Sequence, residues 1–361
     1  MFFGSREFQI AGIVCAVPDD LELAETWNEY FGAEKIKKFV KSTGVEQHYI
    51  ENRLNMTVSD LCCAAAEHLI QKNIFTPSEV DAVLFMSYRL DYEIPATAFV
   101  IQHRLGLPEE CICLDVPLGC SAYPNGLYLA SSLIASGCKT VLLLHGESTN
   151  RHTEHPDEIP MLHGAAGTAT LIRKQDGGQL VGMLRSYGED FRKIMIPYGN
   201  YRHPIEELAK EIGLEKAQEL DKKFYMDGYE VMLFCLGKVI RCMKDFMAHF
   251  EKKVDDMDYF VLHQSNKLIV TSIAERLKMP TEKVLLSIDK YANTSGASIP
   301  VTLCHCLGNS QELEPKKVFA AGYGVGLSVG IVEFAIRPDL CFPVIKTKKR
   351  YDDGISIKSF T

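Results

Sequence analysis

Arg104-Leu105-Gly106-Leu107-Pro108-Glu109-Glu110 and Arg276-Leu277-Lys278-Met279-Pro280-Thr281-Glu282 are two versions of one phrase, and the fold is read from their surroundings. A helical stretch precedes each phrase. Before it lies an apolar run, Val80-Asp81-Ala82-Val83-Leu84-Phe85-Met86 in one case and Met257-Asp258-Tyr259-Phe260-Val261-Leu262-His263 in the other. After each phrase come a short apolar segment (112–116 and 284–288), a turn, and a second helical stretch. A last matching run closes each copy, Lys139-Thr140-Val141-Leu142-Leu143-Leu144 and Lys316-Lys317-Val318-Phe319-Ala320-Ala321. Four phrases thus recur in one order at a spacing of about 172–177 residues. That period is too long for a solenoid and implies a duplicated double domain. Strands alternating with helices predict α/β layers with mostly parallel, buried strands.

The boundaries follow from the frame. Residues 1–185 form the first half and 226–336 the second. Residues 186–225 lie outside it, a Tyr/Pro/Gly-rich stretch and then a charged helical run from Glu206 to Lys223, expected as a lobe over the active-site side. Residues 337–361 are expected as an irregular arm used for packing or dimer contact. Within it, Lys346-Thr347-Lys348-Lys349-Arg350 is expected as a solvated tail.

Composition excludes several classes. With 361 residues, 47% apolar and 24% charged, the chain suits a large buried core. A net charge of −8 argues against nucleic-acid or anionic-membrane partners. No leader-like segment or bilayer-length apolar run is present, so a cytoplasmic protein is expected. Of the twelve cysteines none forms a Cys-x-x-Cys pair. Most sit in apolar runs, where thiols pack as small hydrophobes, and no metal site is expected.

One cysteine differs. Cys120 follows a buried strand and opens a helix that accepts Pro124 in its first turn, continues through Leu127, Ala130, Leu133 and Ile134, and stops near Gly137. A thiol there meets the positive end of the helix dipole, which favours the thiolate. The duplicated frame makes the Cys120 turn equivalent to Asn293-Thr294-Ser295-Gly296-Ala297-Ser298. Equivalent turns of paired units face one pocket at the carboxyl ends of the strands. His263 ends a strand on the same rim.

The phrases together resemble β-ketoacyl-ACP synthase III, the condensing enzymes that initiate fatty-acid synthesis, and their polyketide-pathway relatives. The resemblance covers roughly residues 8–335. It rests on Lys41-Ser42-Thr43-Gly44-Val45, Asp115 to Cys120-Ser121-Ala122, Gly164-Ala165-Ala166-Gly167-Thr168 and Met226-Asp227-Gly228-Tyr229-Glu230-Val231. It continues through His263-Gln264-Ser265-Asn266, Asn293 to Ile299-Pro300, and Gly322-Tyr323-Gly324-Val325-Gly326. It implies a thiolase fold, a five-layered α-β-α-β-α double domain, and a catalytic set of Cys120, His263 and Asn293. It further implies an oxyanion hole from the backbone N–H groups of Cys120 and the Gly324–Val325 turn. Ile94, Leu162, Met226, Gly228 and Asn266 are the implied substrate-binding positions, with Ile94 reaching across a homodimer. The implied chemistry is acyl transfer from acyl-CoA or acyl carrier protein to Cys120, then decarboxylative condensation with malonyl-ACP. No bound cofactor is implied.

The sequence departs from the family in places. Lys38 stands where a tryptophan stacks on adenine, and Pro156 is near the position of the arginine that sandwiches it, so both cation–π partners are missing. A carrier-protein donor, or another way of holding CoA, is the expectation. Gly-Asp-Gly-Ala-Gly has become His163-Gly164-Ala165-Ala166-Gly167. Glu93, one residue out of register, sits near the glutamate that relatives use as base in non-decarboxylative condensation. The alternatives are that reaction, acyl transfer to an oxygen or nitrogen acceptor, and a non-catalytic partner subunit, which retention of Cys120, His263 and Asn293 argues against.

Overall fold

The computed structural model describes residues 1–51, 56–148 and 158–356. Position 156 and residues 357–361 of the arm lie outside the described residues.

The apolar runs assemble into two sheets. The strands are β1 (Phe2–Ser5), β2 (Gln9–Pro18), β3 (Ala82–Met86), β4 (Ile112–Val116), β5 (Thr140–Glu147), β6 (Ala166–Arg173), β7 (Leu180–Ser186), β8 (Tyr259–Leu262), β9 (Lys316–Gly324), β10 (Ser328–Ile336) and β11 (Ile345–Thr347). The first sheet has the order β11-β2-β6-β5-β3-β4 and the second β1-β7-β10-β9-β8. The repeat is visible in the pairing. β3 runs parallel to β5, which pairs antiparallel with β6, and β6 antiparallel with β2. In the same way β8 runs parallel to β9, then β10 and β7 follow antiparallel. Equivalent aspartates pin both registers: the Asp81 carboxylate accepts from the Lys139 and Thr140 N–H groups, and Asp258 from the Lys317 N–H.

Two details differ from the sequence reading. The sheets are mixed rather than mostly parallel, because β9 and β10 are joined by only residues 325–327, too short for a crossover. The 284–288 segment is not a strand. It makes one parallel bridge, Phe260 to Val284, and passes into the helical turn Ile288–Tyr291. The Ser287 N–H donates instead to Gln264 Oε1 at 3.1 Å, so a side chain ends the ladder.

Helices α1 (Val58–Gln71), α2 (Thr97–Leu105), α3 (Ala122–Ala135), α4 (Lys267–Arg276) and α5 (Ser298–Leu307) carry the rest of the frame. α3 and α5 contain no Asp, Glu, Lys or Arg. A helix apolar on all sides must be buried, and both pack between the two sheets in one continuous core. α1 and α2 cover the outer face of the first sheet, and α4 with the helix Ile240–His249 covers that of the second. The result is the five-layered α-β-α-β-α thiolase fold. Among the described residues no helix is long and apolar enough to cross a membrane.

Residues 186–225 form two short helices, Ile205–Ile212 and Leu214–Leu220, broken at Gly213, and a ribbon in which Ile194–Met195 pairs with Tyr225–Met226. The basic run is not a free tail. Its first residues belong to β11, parallel to β2, while Lys348 meets Asp19 at 3.0 Å and Lys349 meets Glu67 at 2.6 Å. Sheet addition over such a sequence distance leaves no local signal.

Candidate active site

α3 begins at Ala122 with Ser121 as its cap, so Cys120 lies just outside the helix in the turn after β4. Asp115 on β4 is a structural residue: its carboxylate accepts from the Thr97 and Ala98 N–H groups at 2.6 and 2.8 Å and caps α2. Cys120 is half-buried and lines a cavity of about 620 Å³. Against the thiolate expected from the helix dipole, burial raises the Cys120 pKa above the ordinary thiol value. Hydrogen bonds from the Val325 N–H, the Ser295 hydroxyl and the Cys120 N–H pull it partly back, and the nearby Glu147 carboxylate raises it.

Gly324 makes this close packing possible. Its φ is +151°, and a Cβ there would lie 2.6 Å from the Cys120 sulfur. No other residue fits without displacing the Cys120 side chain.

The second half brings two side chains to the same cavity. His263 follows β8, and its Nδ1 lies 2.8 Å from the Ser298 Oγ on α5. Burial, then the neighbouring His163, lowers its pKa to about 3, so the ring is neutral. If the Ser298 hydroxyl donates to Nδ1, the proton is on Nε2 and that nitrogen is a donor. Asn293 is clamped by its backbone: its N–H donates to the Leu162 carbonyl at 2.9 Å and its carbonyl accepts from Gly164 at 3.1 Å. Its Oδ1 accepts from the Ser295 N–H at 2.8 Å, which leaves the amide NH2 as the free end.

Leu162, Met226, Gly228, Asn266, Gly324 and Val325 also line this cavity. Asn266 has a structural task as well, since its Oδ1 caps α4 through the Leu268 N–H at 2.8 Å. Ile94 does not join them. It is 85% exposed on a projecting loop and is absent from the cavity wall of its own chain. Glu93 lines a neighbouring polar cavity, where it accepts from the Tyr201 hydroxyl, and has no place on the Cys120 cavity. Lys38 is exposed and pairs with Glu34 at 3.8 Å.

Two residues in the cavity were passed over as chemistry by the sequence reading. His163, seen there only as a broken glycine phrase, lines the wall beside His263 with Phe224 edge-on to its ring at 5.8 Å. Glu147, the last residue of β5, is buried yet reaches the same cavity. Burial raises its pKa to about 7, against the pull of Arg89, whose Nε lies 3.5 Å from Oε1. An acid closing the buried strand that continues from the apolar run Val141–Leu144 was the available signal.

Comparison with known proteins gives a consistent result. Family models described as 3-oxoacyl-[acyl-carrier-protein] synthase III match residues 114–188, and its C-terminal part matches 247–336. A putative 3-oxoacyl-[acyl-carrier-protein] synthase 3 of Campylobacter jejuni is 31% identical over 335 residues, covering 89% of this chain and 92% of its own. A beta-ketoacyl-[acyl-carrier-protein] synthase III of Koribacter versatilis is 26% identical, covering 86% and 90%. The crystal structure of a 3-oxoacyl-(acyl-carrier protein) synthase from Burkholderia xenovorans superimposes with a TM-score of 0.89 at 30% identity, covering 96% and 99%.

Proposed function

The chain belongs to the 3-oxoacyl-[acyl-carrier-protein] synthase III family, and from that premise we propose the following reaction and assignment of roles. The enzyme is an acyl-thioester condensing transferase. It moves an acyl group to an internal nucleophile and joins it to a malonyl thioester with loss of CO2, giving a β-ketoacyl product on acyl carrier protein.

Cys120 is the nucleophile. Its sulfur attacks the thioester carbonyl, and the backbone N–H groups of Cys120 and the Gly324–Val325 turn receive the oxyanion. After the first thiol leaves, malonyl-ACP enters. His263, through Nε2–H, and the Asn293 amide donate to the thioester oxygen as CO2 departs, stabilising the enolate. Its carbon attacks the acyl-Cys120 carbonyl, the new C–C bond forms, and the sulfur leaves as thiolate. A neutral histidine suits this role, because it donates a hydrogen bond without surrendering a proton.

What carries the reading is the convergence of Cys120 from one half and His263 and Asn293 from the other on one cavity. Leu162, Met226 and Gly228 line the part available to the acyl and pantetheine portions. Donors are acyl-CoA or acyl carrier protein thioesters. We favour a homodimer joined along β4, an edge strand whose Ile112 and Leu114 are 41% and 44% exposed, with Ile94 inserted into the partner's cavity. The test is incubation with an acyl thioester and malonyl-ACP while CO2 and β-ketoacyl-ACP are measured. Acylation of Cys120 without CO2 release would overturn the decarboxylative step and favour acyl transfer to an oxygen or nitrogen acceptor.

A further inference from the structure

The proposed reaction leaves one proton unassigned: that on the half-buried Cys120 thiol when its sulfur attacks. Ser295 stands beside it. Cys120, Ser295 and Glu147 line one cavity, and the Ser295 hydroxyl lowers the pKa of both the thiol and the Glu147 carboxyl, so a single side chain stands between sulfur and carboxyl. A Cβ on Gly119 would come within 3.1 Å of the Ser295 Oγ, which fixes that hydroxyl against the nucleophile turn. Ser295 holds φ +49°, in the left-handed region that non-glycine residues seldom occupy. Its N–H is spent on Asn293 Oδ1, so the same residue orients the donor amide and faces the thiol.

We propose that Ser295 and Glu147 form a proton relay for Cys120. As the S–C bond to the incoming acyl group forms, the thiol proton passes to the Ser295 oxygen while the Ser295 proton passes to Glu147. When the tetrahedral adduct collapses and the thioester C–S bond breaks, the proton returns by the same path to the departing thiolate. One negative charge is present throughout, on Glu147 before the attack and on the tetrahedral oxyanion after it. No second anion is created in the cavity, which is the cost that burial imposes on a lone thiolate. Ser295 faces the reacting sulfur across the shared cavity, and Glu147 is a positioning residue acting through it. The charged and titratable groups that face Glu147 are Arg89, Glu51, Cys120 and Tyr88. Arg89 keeps the carboxyl low enough to ionise near neutral pH, while Glu51, bonded to the Ser148 hydroxyl, opposes it.

This inference rests on Cys120 being the acyl acceptor, and the experiment separates the two. Single-turnover acylation by the N-acetylcysteamine thioester of butyric acid is followed by intact-protein mass spectrometry from pH 5 to 10. The wild type should level off above about pH 7. Glu147→Gln and Ser295→Ala should each acylate about 10²-fold more slowly at pH 7 and keep rising with pH, with no inflection near neutrality. Glu147→Asp should restore part of the rate. Retention of the neutral inflection in either variant overturns the relay. So does faster acylation in Glu147→Gln, the result expected if the carboxylate only repels the thiolate. Circular dichroism and a cooperative melting transition like the wild type's establish that the variants are folded. Were Glu147→Gln to unfold, Ser295→Ala would carry the test. If the wild type takes no acyl group at all, the reading of Cys120 fails. The iodoacetamide pH profile, which needs no thioester, then decides the relay by the same inflection.

Discussion

The two halves of the molecule share a frame but finish it differently at two places. After its edge strand the first half places a thiol, Cys120; at the equivalent turn the second half places an amide, Asn293. The first half also keeps its edge strand β4 complete, with Ile112 and Leu114 facing outward. The second reduces the equivalent segment to one bridge at Val284 and closes it with the turn Ile288–Tyr291. Duplication therefore supplied the geometry, two turns facing one cavity, while the chemistry and the free edge came from divergence of the copies. Each half holds what the other lacks.

The most severe way to break that division is Cys120→Ala. It should abolish the acyl adduct in intact-protein mass spectra after exposure to a panel of acyl-CoA and acyl carrier thioesters. Any adduct that remains on the variant would place the acceptor elsewhere. The counterpart, Asn293→Ala, should leave the adduct intact and slow CO2 release from malonyl-ACP by about 10²- to 10³-fold, the usual loss for one aimed donor. Loss of acylation in this variant would mean the second half serves both steps. Because Asn293 Oδ1 holds the Ser295 N–H, Asn293→Asp is the informative companion. It keeps that bond but not the donor, and should fail in the same step.

Much of this comparison was legible in the sequence, for physical reasons. Buried strands such as Ala82–Met86 and helices without charge such as Ala122–Ala135 have patterns that no solvent-facing element can share. Their repetition gave the double domain. That Cys120, His263 and Asn293 share one cavity was legible because the turns holding them are built from small and glycine residues in a distinctive order. What escaped depends on long-range partners. Nothing local in 284–288 says that Gln264 will take the Ser287 N–H and end the ladder. Nothing in Lys346–Arg350 says that it adds beside β2. Glu147 was hidden for the opposite reason. It sits at the end of a run whose apolar character was already assigned to the core, and its chemistry comes from Arg89 and Ser295, 58 residues before it and 148 after.

The free edge gives a smaller, sharper effect. Leu114→Lys or Ile112→Glu should convert a dimer to monomers in sedimentation velocity. The resulting monomers should remain folded, because both side chains face solvent in the single chain and surface exchanges cost about 0.5 kcal/mol or less. A charge on the second half, at Lys283→Glu, should not change the oligomeric state. If the wild type is monomeric, the proposed use of the β4 edge is wrong, and the contrast between the two edges has no functional content.

The smallest effect separates the halves by pH. Glu147, in the first half, has its pKa raised from an ordinary 4.5 to about 7, so between those values the folded chain holds the extra proton. Its contribution to stability is present at low pH and is lost as pH rises through that window. His263, in the second half, is lowered from 6.5 to about 3, so the unfolded chain holds the extra proton there. Its contribution is complete above pH 6.5 and is lost as pH falls toward 3. Between about pH 4.5 and 6.5 the two slopes oppose and nearly cancel. Glu147→Gln removes one of them. Relative to wild type, its stability from urea unfolding should climb by about 1.4 kcal/mol per pH unit across that interval, the slope of a single proton. A flat difference would mean that Glu147 is ionised in the folded protein at pH 5, and would leave only the second half with a buried neutral group beside the thiol.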